Sequence, residues 1–283
     1  MEIKNIRTYN WEQALRGMRH PKESYSLSDS AFGLARLDDL TQYWGVSGEW
    51  SRQLSKPGDP DWEDTVNKFD EFLTTNGIIY KDEKTNLCEY AFLGPKDLKL
   101  AQTLIRAGSE HRKFMRQIFV TMEITAPLYW WKEMDTYKVA TVANSTSTMH
   151  TIEKSPISLD KFEIDDFEAE LFSSLEIEKN REQVFCTGDE AQCFIDWLES
   201  LRVAYLKTKD KKYWKELIRW LPEGWLQTRT WTGNYETLLG MCSAGQRRFH
   251  KQTEWSKAFI EASRSLPYAN ELIFLDELDK LEK

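Results

Sequence analysis

The stretch QIFVTMEITAP, residues 117–127, narrows the folds open to this chain more than any other. Ile118, Val120, Met122 and Ile124 alternate with Phe119, Thr121 and Glu123, and a proline closes the run. Successive side chains of a strand point to opposite faces, so the alternation marks an extended segment with one buried side. A second extended stretch, GWLQTRTWTGN at 224–234, is rich in the Thr and Trp that favour strands. Most of the remaining sequence has helical period, so a helix-rich α+β or α/β chain is expected.

The helical segments announce themselves by their punctuation. SKPGDPDWED (55–64) breaks the chain, and Asp61 precedes WEDTVNKFDEFLTTNG. There Val66, Phe69 and Leu73 share a face and Gly77 marks the end. LGPKDLKLAQTLIRAG repeats the pattern, with Pro95 early, a Leu98, Ala101, Leu104, Ile105 stripe, and Gly108 as the stop. LYWWKEMDTYKV reads as a buried aromatic helix, with Trp130 and Trp131 in the core. The acidic stretch 158–183 reads as a helix solvated on one side. DEAQCFIDWLESLRVAYLKT is a long amphipathic helix, and KKYWKELIRWLP is a shorter one stopped by Pro222. Residues 235–267 form a last helical region interrupted near Gly245.

Composition excludes several classes. At 283 residues, with 41% hydrophobic and 30% charged, the chain can bury a sizeable core. Most of the twelve tryptophans fall in amphipathic contexts, which places them in that core. A formal charge of −8 argues against a general nucleic-acid surface but leaves room for a local cation cluster around a small anion. Cys88, Cys186, Cys193 and Cys242 are scattered, as are the four histidines, so a disulfide framework or metal centre is not expected. Reduced thiols, no signal-type N-terminus and no membrane-length apolar run point to the cytoplasm. There is no phosphate-binding glycine loop and no nucleophile elbow, and the carboxylate pairs have ordinary surface spacing.

One run stands apart. YKVATVANSTSTMH, residues 137–150, sets an Asn and several Ser and Thr, closed by a His, directly after the aromatic segment. Such a run makes a polar turn or a helix start, and it also supplies hydroxyl donors suited to a phosphate.

Three blocks around this run resemble the flavin-dependent thymidylate synthases, the ThyX family. The first is HRKFMRQIFVTMEITAPLYWWKEMDTYKVATVANSTSTMH. It is similar to the family's order of a histidine motif, a proline-ended strand and the signature R-H-R-x-x-S-x-N-E-x-S-x-R-Y. On that pattern His111 falls on the first His, Pro127 on the strand-ending Pro, and Glu133 on a Gln. Thr136, Tyr137 and Lys138 stand at Arg-His-Arg and Thr141 at the first Ser. After a one-residue insertion, Asn144, Ser145, Ser147, Met149 and His150 cover Asn, Glu, Ser, Arg and Tyr. The second block, RWLPEGWLQTRTWTGNYETLL, looks like R-x-x-L-P…T-R-x-x-W-T-x-N-x-x-S-L and includes Arg219 and Asn234. The third, QRRFHKQTEW, resembles R-x-x-x-x-A-Q-x-E-I through Gln252 and Glu254, with Arg247 one residue out of register. The resemblance spans roughly residues 100–267. It implies a flavin- and nucleotide-binding domain over 96–283, preceded by an extension over 1–95 for which the family offers no counterpart. The implied fold is α+β and helix-rich, with a small central antiparallel or mixed sheet and an additional N-terminal helical region.

The resemblance further implies a homotetramer that binds FAD and deoxyuridine monophosphate, with methylene-tetrahydrofolate and NADPH as co-substrates. In such a protein Ser145 and Ser147 would hold the phosphate, and His111, Tyr137 and Lys138 would touch the flavin. Arg219 and Arg247 would grip the base or phosphate, with Ser147 beside the reacting nucleotide. Glu133 would face the substrate, and Asn234 would bond the cofactor. Each has a plainer alternative: a helix cap for Ser147 and Asn234, surface exposure for His111 and Lys138, a salt bridge for either arginine.

The departures carry weight as well. Replacing Arg-His-Arg by Thr-Tyr-Lys removes two cations, and Met149 in place of Arg loses a bidentate anion grip. Lys132, Arg112 or Arg116 could compensate. A non-catalytic nucleotide- or flavin-binding protein on the same scaffold therefore stands beside the enzyme. A third reading is an interaction protein using RGMRHPKESYSLSDS and the acidic stretch as partner surfaces.

Overall fold

The computed structural model describes residues 1–36, 77–164, 176–179, 182–185 and 189–281. The N-terminal part contains β1 (Glu2–Tyr9), α1 (Trp11–Arg19), β2 (Ala31–Arg36), β3 (Ile78–Asp82) and β4 (Leu87–Phe92). There follow α2 (Pro95–Arg106), β5 (Phe119–Pro127), α3 (Leu128–Met134), β6 (Val142–Ser145) and α4 (Thr148–Thr151). Next are β7 (Glu176–Lys179), β8 (Glu182–Phe185), α5 (Asp189–Thr208), α6 (Lys211–Trp220) and β9 (Leu226–Asn234). The C-terminal part has α7 (Tyr235–Met241), α8 (Ala244–Phe249), a π-helical turn over Glu254–Phe259, α9 (Ile260–Arg264), α10 (Ala269–Leu272) and α11 (Leu275–Leu281). No described helix is long and apolar enough to cross a membrane.

The main sheet has the order β1-β5-β9-β6, and a smaller antiparallel one has the order β2-β4-β3. Along β5 and the residue just before it, Ile118, Val120, Met122 and Ile124 are fully buried at the period the sequence shows, whereas Phe119 is 42% exposed. Thr121 bonds Thr232 and Thr125 bonds Thr228. Four residues forward on β5 are four back on β9, so the pair runs antiparallel. The architecture is α+β.

The chain divides into two units. One comprises Met1–Glu2, Ile124–Thr136 and Asn144–Thr230; the other comprises Ile3–Glu123, Tyr137–Ala143 and Trp231–Lys283. In the first, the α5 and α6 hairpin buries Ile195, Leu198 and Leu217 with Ile152, Ile157, Phe162 and Trp225. In the second, Trp11 meets Tyr235 edge-on at 5.1 Å and Tyr268 at 5.6 Å. The hydroxyl of Tyr268 donates to the Ala91 carbonyl and accepts from the Leu93 amide.

The second unit is also clamped by a buried ion pair. Asp97, on α2 and fully buried, receives Arg19 Nε of α1 at 2.5 Å, the hydroxyls of Ser28 and Ser30 at 2.6 Å each, and the Asp29 amide at 3.3 Å. Arg19 also donates to the carbonyls of Ser24 and Leu27. Asp29 reciprocates by accepting the Lys96 and Asp97 amides, which caps α2 from outside its own segment. Gly94 makes this approach possible, since a Cβ there would sit 2.2 Å from the Asp29 carboxyl.

Several elements differ from the sequence expectation. The helix expected over 62–77 lies outside the described residues, apart from Gly77. The aromatic helix stops at Met134, so Tyr137 and Lys138 follow it as irregular chain. Within the acidic stretch, Leu159–Lys161 is a 3-10 turn and Glu176–Lys179 pairs with Glu182–Phe185 as an antiparallel hairpin rather than a helix. Both arms, EIEK and EQVF, are four residues long and sit around a polar connection, a spacing that suits a hairpin. Near the C-terminus the break falls at Cys242 and Ser243, and Gly245 lies inside α8.

Truncating one member of a buried charge pair strands the other in a low-dielectric interior. Asp97→Ala should therefore lower the unfolding free energy by about 3–5 kcal/mol, read as a shifted urea midpoint. Glu271 gives a pH-dependent case. Its Oε2 is buried with no hydrogen-bond partner among the described residues, and burial raises its carboxyl above the ordinary value near 4.5. A raised folded value means the carboxyl contributes stability while protonated, below that ordinary value, and loses it as pH rises through the folded value. Glu271→Gln should thus be more stable than the parent at neutral pH, with the gain vanishing in acid; thermal melts across pH check this.

Candidate functional site

The second unit gathers polar and aromatic groups where residues 137–143 meet α7, α8 and the chain after it. Tyr137 lies 5.5 Å from Trp255 at an interplanar angle of 31°, and His250 stacks on the same indole at 4.8 Å and 11°. Gln246 of α8 donates to the Tyr137 hydroxyl at 2.8 Å. The Gln252 amide donates to His250 Nδ1 at 3.2 Å, which requires a lone pair there and puts the neutral ring's proton on Nε2. Trp255 is fully buried and donates its indole N–H to the Met241 carbonyl. Gln252 Oε1 is buried with no partner among the described residues. An orphaned buried acceptor of this kind costs free energy until a donor arrives. The π-helical turn begins at Glu254, two residues on; such turns are rare and recur at functional sites.

The sequence-derived candidates in this unit are placed as follows. Asn234 is buried and caps α7: its Oδ1 accepts the Thr237 amide at 3.0 Å and hydroxyl at 3.2 Å. Thr237 also donates to the Val139 carbonyl at 3.4 Å, so Asn234 positions the loop carrying Tyr137 and Lys138 through one intermediary. Lys138 is exposed, and so is His111, which lies in a turn after Gly108. Arg247 is 12% exposed and fully engaged: Nη1 donates to the Cys242 carbonyl at 2.5 Å, Nη2 to Asp276 at 2.5 Å, and Nε pairs with Glu277 at 2.8 Å. Its partners come from the C-terminal helix α11, not from the acidic stretch. Burial pushes the Cys242 thiol up to about 11, so it is not a reactive thiolate.

The other candidates belong to the first unit. Ser145 ends β6 and is exposed; Ser147 precedes α4, and its hydroxyl caps nothing. The run is tied to β9, because Thr146 bonds the Thr228 backbone and its carbonyl accepts Gln227 Nε2 at 2.9 Å. Gln227 in turn accepts from Arg229 Nε, while Arg229 Nη1 donates to both oxygens of Asp135 and the guanidinium lies 4.3 Å over Trp131. Arg219 is half exposed on α6, where it pairs with Glu216 at 2.5 Å. Glu133 is half buried on α3. Of the three compensating cations, Lys132 pairs with Glu223, and Arg112 and Arg116 both hold Glu236. Burial raises the Glu236 carboxyl, but the Arg116 and Arg112 bonds outweigh it and leave the group below the usual carboxylate range.

A solved flavin-dependent thymidylate synthase ThyX from Helicobacter pylori, complexed with FAD and dUMP, is similar over 98% of this chain and 99% of its own. The TM-score is 0.53 and the identity 13%. A second structure of thymidylate synthase X from the same organism, also with FAD and dUMP, gives 0.51 at 13% identity, covering 98% of each chain. No protein-family model matches the sequence, and no curated protein does. The fold is ThyX-like.

Sequence reasoning weighted the arginines and overlooked the groups around them. Gln246, His250 and Trp255 all lie inside or next to the third block, QRRFHKQTEW. The signal was present as Gln, His, Gln and Trp threaded between charges, the composition of a half-buried polar nest rather than a solvated helix face. Removing the cap that orients the 137–143 loop should be measurable: Asn234→Ala should cost about 1 kcal/mol, with Asn234→Asp recovering most of it in denaturant titrations.

Proposed function

We propose that this chain binds a flavin and a pyrimidine nucleotide and carries out a ThyX-type reductive methylation at carbon five of deoxyuridine monophosphate. Methylene-tetrahydrofolate would be the carbon donor, NADPH the reductant, and bound FAD would supply the hydride chemistry. The carrying observation is the buried Gln252 Oε1, without a partner among the described residues, on the short segment whose His250 and Trp255 rings stack and whose Trp255 meets Tyr137. It occurs on a scaffold like one solved with FAD and dUMP. Uracil and isoalloxazine both present an imide N–H between two carbonyls. An amide side chain whose acceptor lacks a donor is complementary to that edge. The residues therefore fit such a planar group. Lys138 and Arg248, both exposed, are the cations at hand for its phosphates. Asn234 acts by positioning the loop. Ser145, Ser147, Glu133, Arg219 and His111 keep the roles implied by the resemblance alone, and the homotetramer likewise rests on it.

A second reading has its own observation. Arg247 has all three guanidinium nitrogens engaged, by the Cys242 carbonyl, Asp276 and Glu277, so it is not poised to grip an anion. This favours a binding protein on the same scaffold that has lost the methylation step.

The absorbance spectrum of the purified protein with added FAD is the first test. Retention of a flavin band after desalting is expected, and Gln252→Leu should weaken FAD or deoxyuridine monophosphate binding by about ten-fold, as loss of one buried hydrogen bond does. No retained flavin and no nucleotide binding would overturn both readings. Tritium release from carbon-five-labelled nucleotide, with folate and reductant present, selects the enzyme; its absence with binding intact selects the second reading.

A further inference from the structure

The second unit holds a cavity of about 330 Å³ that neither reading uses. Its floor is apolar, made by Ile105, Leu239, Ile273 and Leu275, and its rim carries Arg106, Arg112, Ser243, Asp276 and Asp279. The volume lies at the lower end of the range for small-molecule sites, about 300–1,000 Å³.

The rim charges are not equivalent. Asp279 is held by Arg106 through both oxygens, at 2.6 Å for the shortest contact. Asp276 accepts Arg247 at 2.5 Å and has Lys280 at 3.7 Å. Both carboxylates are therefore already neutralised. Arg112 differs. Only its Nε is used, on Glu236 at 3.2 Å, while its two terminal amines have no partner among the described residues. Glu236 is also held by Arg116, so Arg112 is not needed to neutralise it. Arg112 is 23% exposed, which leaves it reachable yet partly desolvated, the condition in which a guanidinium binds an oxyanion strongly. The Ser243 hydroxyl, exposed and unbonded among the described residues, adds a second donor on the same rim.

We infer that this cavity binds a small organic monocarboxylate, its carboxylate on Arg112 and Ser243 and its apolar body on the isoleucine and leucine floor. The charge balance sets the class. A single negative charge matches the rim guanidinium whose terminal amines lack partners among the described residues, whereas a phosphate dianion would bring a second charge with no second unengaged rim cation to meet it. The inference does not rest on the flavin reading, since no residue proposed there lines the cavity.

Octanoate is the probe, titrated calorimetrically into the intact chain, with 1-octanol, octylamine and inorganic phosphate as comparisons. Octanoate should bind about ten-fold more tightly than 1-octanol, the order expected of one charge-assisted pair. Octylamine and phosphate should bind more weakly still. Arg112→Gln should bring octanoate down to the 1-octanol level. Should Arg112→Gln fail to fold, Ala244→Phe, at an exposed rim position, serves instead and should abolish octanoate binding by filling the mouth. Equal affinity for octanoate and 1-octanol overturns the inference. So do undiminished binding by whichever variant folds, tighter binding of phosphate, and no heat at millimolar octanoate.

Discussion

Asp97 sets the geometry of the larger unit. A carboxylate with no solvent exposure must collect its hydrogen bonds from protein, and here they arrive from α1 through Arg19 and from the 28–30 segment through two hydroxyls and an amide. One charge thus ties together three stretches that are far apart in sequence, and the partners of Arg19 close the turn after α1 as well. Because Asp29 caps the same helix that carries Asp97, the clamp is reciprocal: loosening Asp29 frees amides at the start of α2, and loosening Asp97 frees Arg19, two serine hydroxyls and the Asp29 amide. The C-terminal end of α2 supplies Ile105 and Arg106 to the cavity, so the clamp fixes that wall from the opposite end of one rigid helix.

A similar logic governs the cations. The arginines at motif positions were natural candidates for an anionic ligand, yet carboxylates close by have claimed most of them: Glu216 for Arg219, Asp276 and Glu277 for Arg247, Asp135 for Arg229. A guanidinium such as that of Arg247, with every nitrogen engaged, holds elements together rather than gripping a further anion. Among the described residues, groups with unused hydrogen-bonding capacity instead include an amide oxygen, Gln252 Oε1, and the terminal amines of Arg112. The recognition proposed for this chain rests on those atoms rather than on the most conspicuous charges. The ThyX-like fold is compatible with that assignment without requiring it, because a fold hosts more than one chemistry.

Much of the fold was legible in the sequence. The alternation of Ile118, Val120, Met122 and Ile124 specifies a strand and which face is buried. Pro95 and Gly108 bracket α2, and Pro222 ends α6. These features are local, since each depends on the backbone preferences and side-chain period of a few adjacent residues. The acidic stretch misled because charge and helical propensity dominate its composition, while EIEK and EQVF pair only when brought edge to edge. The aromatic helix ended early because nothing after Met134 buries another turn.

The candidate site was legible only as a region. The sequence placed an amide, a histidine and a tryptophan near one another in QRRFHKQTEW, and it placed Tyr137 directly after the aromatic helix. It could not place Tyr137 against Trp255, since that contact joins residues more than a hundred positions apart. What the sequence determined by itself is which segments are strands and helices and which faces they bury, because period and propensity act locally. What tertiary structure alone decided is which polar groups are already satisfied. The partner of each arginine and the missing donor at Gln252 depend on what folding carries within about 3 Å of each atom, and no local pattern records that.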